Sequence, residues 1–324
     1  MKALAATAYG PPENLSLIEL DVPRPGPGQM LVRIAASSLN PTDLRVAAGD
    51  YRAIVELTFP YVLGNDFAGT VTEVGAGVTA YEVGDEVFGQ ALPRQLSWVV
   101  ADHLRPSLST GALAEYAVVE ADTPLLAHRP AAVPAEQAAA LGITGLTALS
   151  IMAAARVTAG ESVLVVGATG GVGTQVVPLL AAAGAMITAT AGNAAAGDAL
   201  RELGADRIIS HDQADYPSGV DVLLDLTLPV DRLATAARSL RAGGRLITII
   251  FPGPTPEQVG RDDVDVQFLL DPDGVAGGMR DVAEAAEKGL LRATIAHRFP
   301  FDQGVQAATA YAQRGKVGKI VVTM

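Results

Sequence analysis

The stretch from Glu161 to Gly173, ESVLVVGATGGVG, decides the fold of this chain. Its first half, 162–166, is a β-branched apolar run typical of a buried strand, and the residues that follow Val172 are mostly helix formers. The glycines therefore lie where a strand passes into a helix. Ala168, Gly170 and Gly173 take the three small-residue positions of a G-x-G-x-x-G pattern, with alanine in the first.

Small residues at such a turn have a physical purpose. Gly170 and Gly171 let the backbone approach a pyrophosphate, and Gly173 lets the helix pack closely on the strand. The N-terminus of the helix adds N–H groups and a partial positive charge. The pattern predicts a dinucleotide site, although a tight strand-to-helix turn that binds no ligand would have the same spacing.

Length and composition indicate a globular protein with two domains. The 324 residues are 49% hydrophobic and 18% charged, which excludes a disordered chain and allows each domain its own core. The net charge of −12 would repel a phosphate backbone, so we expect no nucleic-acid partner. The chain has no cysteine, which excludes disulfides, a thiolate nucleophile and a thiolate zinc site.

No targeting or membrane segment is evident from the sequence. Residues 1–9 lack an apolar core of signal-peptide length, and no uninterrupted apolar run is long enough to span a bilayer. We therefore expect a cytoplasmic chain with no membrane partner.

The pattern of strands and helices changes along the chain. Residues 1–121 contain short strand-like runs separated by turn glycines and prolines, which predicts a small β-rich domain. Residues 122–271 pass into strictly alternating strands and helices, which predicts a doubly wound parallel sheet of the Rossmann type. Residues 272–324, with two helices and a closing strand, are expected to return to the first domain. The predicted strands of the parallel sheet are 162–166, 186–190, 207–210, 222–226, 245–250 and 264–270.

A series of short motifs gives a resemblance to a known family that covers essentially the whole chain. In order they are Asn40-Pro-Thr-Asp43, Gly49-Asp-Tyr51, Leu63-Gly-Asn-Asp-Phe-Ala-Gly69, Val83-Gly-Asp-Glu-Val-Phe-Gly89, Gly111-Ala-Leu-Ala-Glu-Tyr116, Thr144-Gly-Leu-Thr-Ala148, Gly167–Gly173 and Gly318-Lys-Ile-Val321. Together they resemble the medium-chain dehydrogenase/reductase superfamily, and in detail its zinc-free quinone oxidoreductase (zeta-crystallin-like) branch. The resemblance implies a reductase in which a Rossmann doubly wound sheet is inserted in a β-rich GroES-like catalytic domain.

The residues argue against a zinc ion. Zinc-dependent members of the superfamily have a cysteine near Pro41 and a histidine and a glutamate after Gly64, where this chain has Asn65 and Asp66. None of the four histidines lies at a ligand-like spacing from another. We predict neither a catalytic nor a structural zinc. Without a Lewis acid the acceptor must already be electron-poor, such as a quinone or an α,β-unsaturated carbonyl compound.

The resemblance also implies candidate catalytic residues. Tyr51 stands where quinone oxidoreductases have an active-site tyrosine, and its phenol could donate a hydrogen bond to a substrate oxygen. A half-buried loop tyrosine is the alternative. Asn40 resembles the asparagine near the nicotinamide end of the cleft, where its amide could bond the cofactor or the acceptor. Asp43 is expected to cap a helix that begins at Leu44.

The end of the second strand of the parallel sheet bears on the choice of cofactor. An NAD site usually has a carboxylate about 20 residues after the glycines, to bind the ribose 2′-hydroxyl, and Ala191 occupies that position here. No carboxylate repels a 2′-phosphate, so NADPH is favoured and NADH stays open. Asn193 and His211 could hold the phosphate, with Arg201 or Arg207 adding charge. The alternative is that they line the adenosine pocket without discriminating.

Further candidate contacts to the cofactor lie at strand ends, as in other open parallel sheets, and on the helix before the sheet. Thr144 resembles the cofactor-contacting threonine of that helix, while plain core packing is the alternative for the apolar candidates. The full candidate set is Asn40, Thr144, Gly167, Ala168, Gly170, Gly171, Val172, Gly192, Asn193, His211, Leu226, Thr227, Ile250 and Phe251.

Several alternatives stay open at this point. Transfer of hydride from NADPH to a quinone or a similar activated carbonyl fits best, but an enoyl or alkenal reductase would use the same cofactor geometry on a carbon–carbon double bond. A protein that binds NADPH without catalysing a reaction is an alternative outside the enzymes. Residues 264–270 are a candidate edge strand through which a homodimer could form, or are buried within one chain. Residues 90–110, which include Trp98, form either part of a substrate lid or a surface excursion.

Overall fold

The computed structural model describes residues 1–54, 56–90, 108, 110–211, 215–270, 275, 277–313 and 315–324. The chain divides into two compact units. Residues 1–143, 277–314 and 319–324 form the first unit, and residues 144–276 and 315–318 form the second.

The first unit is built mainly from antiparallel strands. The strands are β1 (Lys2–Ala6), β2 (Ser16–Glu19), β3 (Gln29–Ser38), β4 (Tyr61–Val62), β5 (Asp66–Val74), β6 (Glu86–Gln90), β7 (Tyr116–Glu120), β8 (Leu126–His128), β15 (Ile295–Pro300) and β16 (Lys319–Thr323). A three-stranded sheet has the order β2-β1-β4, and a larger sheet has the order β15-β16-β3-β5-β6-β8, with β7 paired to β3. The cores of this unit are apolar side chains between and beneath these sheets, among them Met30 and Phe67, which are completely buried.

Among the described residues, four helices complete or border this unit. They are α1 (Pro41–Ala48), α2 (Ala135–Ala155), α7 (Met279–Glu287) and α8 (Gly304–Ala312). The N-terminal half of α2 belongs to the first unit because several of its groups are bonded there. The Gln137 amide exchanges hydrogen bonds with the main chain of Ala293, and the Asp66 carboxylate accepts the N–H of Ile143 at 2.8 Å. The division of the chain therefore falls within α2, whereas composition placed it after residue 121.

The second unit contains a six-stranded parallel sheet in the order β11-β10-β9-β12-β13-β14. Numbered along the chain, this order is 3-2-1-4-5-6, that of a dinucleotide-binding Rossmann sheet, and it confirms the predicted fold class. Each strand predicted for this sheet is present. The strands are β9 (Ser162–Val166), β10 (Met186–Ala191), β11 (Arg207–Ser210), β12 (Val220–Asp225), β13 (Leu240–Thr248) and β14 (Asp265–Phe268), and the helices between them are α3 (Gly173–Ala182), α4 (Ala194–Glu202), α5 (Val230–Ala237) and α6 (Pro256–Val259).

Two glycines are required by the turn from β9 to α3. A Cβ atom at Gly173 would lie 2.4 Å from the carbonyl oxygen of Ala168, so only glycine lets the helix pack this closely on the strand. Gly167 has a φ of +93°, and a Cβ atom there would lie 2.8 Å from the Thr227 side chain. The sequence pattern that decides the fold is thus explained by close packing and by backbone conformation.

Some elements differ from those that the sequence predicts. Helix α1 begins at Pro41, with Asn40 at the N-cap position and Asp43 in its first turn, and not at Leu44. Strand β13 begins at Leu240, five residues before the predicted start, because its N-terminal part pairs with β12 through a register shift. Strand β15 is not predicted at all, and it pairs in parallel with β16.

Helix α2 corrects the expectation that no apolar stretch reaches membrane-spanning length. It has 21 residues and a mean hydropathy of 1.8, so by length and composition alone it could cross a bilayer. However, 72% of its apolar window is buried inside the protein, as expected for a core helix. No second helix of the described residues passes the same test of length and composition.

Candidate active site

The carboxyl edge of the parallel sheet gathers most of the predicted cofactor residues within the second unit. Gly167 follows β9, Gly192 and Asn193 follow β10, and Leu226 and Thr227 follow β12. Ile250 and Phe251 lie shortly after β13, and His211 directly follows β11. These residues are exposed or half-buried, so one accessible strip runs along the ends of the strands.

The glycine-rich turn has the space that a pyrophosphate needs. A Cβ atom built on Gly170 would have only one neighbour within 4 Å, the Gly167 carbonyl oxygen at 3.4 Å, so this glycine faces open space. The N–H of Gly167 donates to the Thr190 hydroxyl at 3.0 Å, which fixes the start of the turn. The residues therefore fit a dinucleotide: tight contacts on the helix side and an open face outward.

A pocket of about 270 Å³ lies beside the start of α4. Asn193 caps this helix, since its Oδ1 accepts the N–H of Ala196 at 2.9 Å. Arg201 also lines the pocket and forms an exposed ion pair with Asp198 at 2.7 Å. The lining residues are Ala191, Gly192, Asn193, Ala194, Gly197, Arg201, Ile208, Ile209 and Ser210.

Two further residues considered for the phosphate differ in their placement. The main-chain N–H of His211 donates to the carbonyl of Ala191 at 3.0 Å, so His211 lies next to the pocket at the same edge of the sheet. Arg207 begins β11 and so lies at the amino end of that strand, away from the carboxyl edge. Arg207 is not among the residues that line the pocket, and it lies about 10 Å from the carboxyl end of β11, since a strand rises about 3.3 Å per residue.

The other cofactor candidates in this unit are buried. Ala168 is completely buried beneath the turn, and Thr144 is 3% exposed within α2. Val172 is half-buried immediately before α3.

Sequence reasoning missed two residues behind the carboxyl edge, Asp225 and Thr248, which end their strands and are 2% and 1% exposed. A signal was present in the sequence, because a polar residue that closes an apolar strand run at this edge is unusual for simple core packing.

In the first unit, Asn40 belongs to a buried polar cluster made of Ser38, Asn40, Asp43, Asn65, Asp66 and Lys319. The Asn40 Nδ2 donates to Asp66 Oδ2 at 2.9 Å, and Asn40 Oδ1 accepts from the Lys319 ammonium at 2.5 Å. Both polar atoms of the amide are thus bonded inside the unit. Asn40 is only 2% exposed, so its amide is oriented by these partners.

Asp66 is the hub of this cluster. Its carboxylate is completely buried and also accepts from the Ser38 hydroxyl at 2.8 Å and from Lys319 at 3.2 Å. The Lys319 ammonium donates in addition to the carbonyl of Leu39 at 2.8 Å, so its three hydrogens each have an acceptor.

Asp43 is the second carboxylate of the cluster. Its oxygens accept the N–H of Asn40 and the Asn65 amide, each at 2.8 Å. Burial, together with the nearby charge of Asp66, raises the pKa of Asp43 to about 7, because these costs outweigh the hydrogen bonds and the attraction of Lys319. Neutral pH is therefore close to the point at which this buried group gains or loses its proton.

Tyr51 lies in the turn after α1, so Asn40 and Tyr51 flank the same helix. Its half-buried ring packs against Val46 and Leu57, and the Arg45 guanidinium lies 4.9 Å from the ring centre. Burial raises the pKa of the Tyr51 hydroxyl. The hydroxyl therefore keeps its proton at neutral pH and can act as a hydrogen-bond donor.

No group of three or more His, Asp or Glu side chains in the described part of the chain is arranged to hold a metal ion. Asn65 and Asp66, at the positions where zinc-dependent relatives have ligands, are bonded to Asp43 and to Lys319. Residues 91–107 and 109, with Trp98, lie outside the described residues.

Two family models match the chain. The alcohol dehydrogenase GroES-like domain covers residues 26–130, and the zinc-binding dehydrogenase domain covers residues 203–322. The 2-methylene-furan-3-one reductase of Solanum lycopersicum is 30% identical, with 99% of this chain and 79% of the relative covered. The chain belongs to the medium-chain dehydrogenase/reductase superfamily. Its place in the quinone oxidoreductase-like branch follows from its similarity to the quinone oxidoreductase of Mus musculus. The two are 29% identical, with 100% of this chain and 98% of the relative covered.

A solved structure agrees with this assignment. The quinone oxidoreductase from Coxiella burnetii has a TM-score of 0.84 and 26% sequence identity, with 100% of this chain and 99% of that chain covered. This member of the superfamily is accordingly an enzyme of the oxidoreductase class.

Proposed function

We propose that this superfamily member is an NADPH-dependent, zinc-independent reductase that transfers hydride to a quinone or a similarly activated carbonyl compound. The observation that carries the proposal is the accessible carboxyl edge of the parallel sheet. It combines an open glycine turn at Gly170 with a second strand that ends in Ala191, where an NAD site would have an acid.

Different residues along this edge bind different parts of the dinucleotide. The pyrophosphate is bound by the main chain of Gly167, Gly170 and Gly171. The 2′-phosphate is bound by Asn193 and His211, with Arg201 close by. The nicotinamide half is held by Leu226, Thr227, Ile250 and Phe251, with Thr144 and Asn40 as further contacts from other elements. When bound, NADPH supplies a hydride, and the acceptor takes up this hydride together with one proton.

Tyr51 donates a hydrogen bond to the acceptor oxygen. Negative charge develops on that oxygen during reduction, and a preorganised donor stabilises it. Burial supports this role because it holds the pKa of the hydroxyl above its ordinary value. The amide of Asn40 is already bonded to Lys319 and Asp66, so it acts in a fixed orientation.

Zinc independence is supported by the chemistry of the available donors. Lys319 places a cation on Asp66, and the Asn65 amide donates to Asp43, so both residues after Gly64 are engaged. Metal analysis of the purified, active enzyme tests this point. Stoichiometric zinc that turnover requires would contradict it.

The net charge of −12 supports a small-molecule substrate and not a nucleic-acid partner. We place the enzyme in the cytoplasm without a membrane partner, as a homodimer.

A carbon–carbon double bond conjugated to a carbonyl is the second candidate acceptor. The relative from Solanum lycopersicum is named as the reductase of a 2-methylene-furan-3-one, which is such an enone. The same cofactor site and the same donor at Tyr51 would serve both reactions.

The test is an assay of NADPH oxidation against a panel of quinones, enals, enones and enoyl thioesters, with NADH as the parallel cofactor. We expect turnover with a quinone or an enone and a lower KM for NADPH than for NADH. Stoichiometric NADPH binding without turnover on any member of the panel would contradict a reductase of activated carbonyls.

The variant Gly192→Asp sharpens the cofactor part of this test. A side chain at Gly192 meets nothing within 4 Å, so the variant should fold normally. Its carboxylate should repel the 2′-phosphate and raise the KM for NADPH about tenfold or more, while the KM for NADH changes little. Equal effects on both cofactors would show that no 2′-phosphate binds beside Gly192.

A further inference from the structure

Asp225 and Thr248 connect the two strand ends that carry the candidate contacts to the nicotinamide half of the cofactor. Both residues close central strands of the parallel sheet, and they lie opposite each other in the pairing of β12 with β13. Asp225 is also paired with Val166, the last residue of β9. These two side chains thus lie directly behind the accessible edge.

The Asp225 carboxylate organises the turn after β12. Its Oδ1 accepts the main-chain N–H of Thr227 at 3.2 Å and that of Leu228 at 2.8 Å. An aspartate that bonds the N–H groups two and three residues ahead holds the chain in a defined turn. The turn contains Leu226 and Thr227, both of them candidate contacts.

The same carboxylate reaches the neighbouring strand. Its Oδ2 accepts the Thr248 hydroxyl at 2.8 Å, and the Thr248 oxygen in turn accepts the N–H of Ile250 at 3.2 Å. The main-chain oxygen of Asp225 accepts the N–H of Ile249 at 3.3 Å. The position of Ile250 is therefore tied to that of Thr227 through one carboxylate and one hydroxyl.

A buried carboxylate is a costly way to hold a turn. Burial raises the pKa of Asp225, which means that the charged form is disfavoured, and the hydrogen bonds that its carboxylate accepts come from neutral donors of Thr227, Leu228 and Thr248. An apolar residue in a central strand would avoid this cost. A reason other than stability is needed for an acid here.

We propose that Asp225, acting with Thr248, is a positioning residue that holds the strand ends of β12 and β13 in the conformation that binds the nicotinamide half of NADPH. The inference rests on the proposed function, because it assigns no ligand of its own. It adds two residues that touch neither the cofactor nor the acceptor.

The chain offers a matched control at the other end of the same strand. The Asp221 carboxylate also bonds a main-chain N–H and a hydroxyl, both of Ser162, at 2.8 Å, and it pairs with Arg241. Asp221 lies toward the amino end of β12, away from the carboxyl edge. Asp221→Ala should therefore lower stability without affecting a ligand at that edge.

The experiment compares calorimetric binding of NADPH and of adenosine 2′,5′-bisphosphate, which lacks the nicotinamide half. For Asp225→Ala we expect the Kd for NADPH to rise at least tenfold and the Kd for the bisphosphate to stay within about twofold. Asp221→Ala should leave both constants unchanged. Thr248→Val, which keeps the shape of the side chain and the turn after β12, should raise the Kd for NADPH by a smaller factor and serves if Asp225→Ala does not fold.

Every other result contradicts either the proposed function or the positioning role of Asp225. If wild-type enzyme does not bind NADPH, the proposed function fails and this inference fails with it. If wild-type enzyme binds NADPH but Asp225→Ala and Thr248→Val bind it equally well, only the positioning role is overturned. A parallel loss of both ligands in the variants would show general damage to the unit and would also overturn it.

Discussion

The protonation of Asp43 depends strongly on its surroundings. Its pKa is raised to about 7 by burial and by the charge of Asp66, so the folded state binds this proton more tightly than the unfolded chain does. The stabilising effect of that proton is fully present below the ordinary pKa of aspartate. It is lost as pH rises through about 7.

We expect the free energy of unfolding to decrease between pH 5 and pH 8, by up to about 1.4 kcal/mol per pH unit from this group. In Asp43→Asn this part of the slope should be absent, because an amide does not titrate. Urea unfolding at four pH values measures how the free energy of unfolding depends on pH. Asp50→Asn, an exposed acid close to the end of α1, is the control, and identical slopes in wild type and Asp43→Asn would contradict the prediction.

The role of Tyr51 as a hydrogen-bond donor can be tested by removing its hydroxyl oxygen. Tyr51→Phe keeps the ring and its packing on Val46 and Leu57 but removes the donor, so turnover should fall about 10- to 100-fold while the Kd for NADPH stays unchanged. Tyr9→Phe is the matched control in the same apolar cluster. The Tyr9 hydroxyl accepts the N–H of Leu57 at 2.6 Å, so its loss should reduce stability and leave turnover intact. A full rate in Tyr51→Phe would mean that this tyrosine only packs.

At the scale of elements, Lys319 joins the last strand to the N-terminal part of the same unit. Lys319 is 3% exposed and Asp66 is completely buried, so Lys319→Met leaves a buried charge without its cation. We expect a loss of about 3–5 kcal/mol in the free energy of unfolding. Adding Asp66→Asn should recover part of that loss, because it removes the stranded charge.

Chemical denaturation of the two single variants and the double variant gives the coupling energy. Lys288→Met is the control, since Lys288 and Glu284 form an exposed pair on α7 whose loss should cost less than 1 kcal/mol. A Lys319→Met variant as stable as this control would contradict a structural role for the buried pair.

Helix α3 contains a polar side chain that its surroundings do not satisfy. Gln175 is 1% exposed, and neither atom of its amide has a hydrogen-bond partner among the described residues. Gln175→Met has similar volume and no such polar group, so the free energy of unfolding should rise by about 1–3 kcal/mol. Thermal unfolding measures this, with the exposed Gln306→Met on α8 as control. A lower stability of Gln175→Met would show that the amide is bonded in the protein.

Element boundaries show where local sequence rules fail. Pro41 and Leu44 both suit the start of a helix, and only the bond from the Asn40 N–H to the Asp43 carboxylate shows that Asp43 is inside the first turn. In β13, Gly243 and Gly244 suggest a turn, and they lie in a register shift inside the strand: Leu240 pairs with Val220, and Arg245 pairs with Val222. Pairing between strands is a tertiary interaction, so local sequence does not show that the strand begins before these glycines.

For the whole molecule, we predict that a homodimer forms through the edge strand β14. This strand pairs with β13 on one side and ends the described sheet on the other, and Val266 is 37% exposed. An open edge favours pairing with a second copy. We expect wild-type enzyme to sediment at twice its chain mass of 33.2 kDa.

Val266→Lys should shift the enzyme to the monomer, because a charged side chain on an edge strand opposes pairing. Val83→Lys, at a 62% exposed position of the first unit, should leave the dimer intact. Sedimentation velocity distinguishes the monomer from the dimer in both variants. A wild-type monomer, or a Val266→Lys variant that stays dimeric, would exclude assembly through this edge.

The sequence by itself determined the class of fold, the position of nearly every strand of the parallel sheet and the family. This was possible because β-branched runs, helix formers and turn glycines act locally, and because Gly167 and Gly173 admit few alternatives. Only the tertiary structure decided which polar groups meet: Asn40 with Lys319, Asp43 with Asn65, and Asp225 with Thr248. The partners in these pairs are separated by 22 to 279 residues, so no local pattern can predict their contact. Burial raises the pKa values of Asp43 and Asp225 and sets the cost of leaving any of these polar groups unpaired.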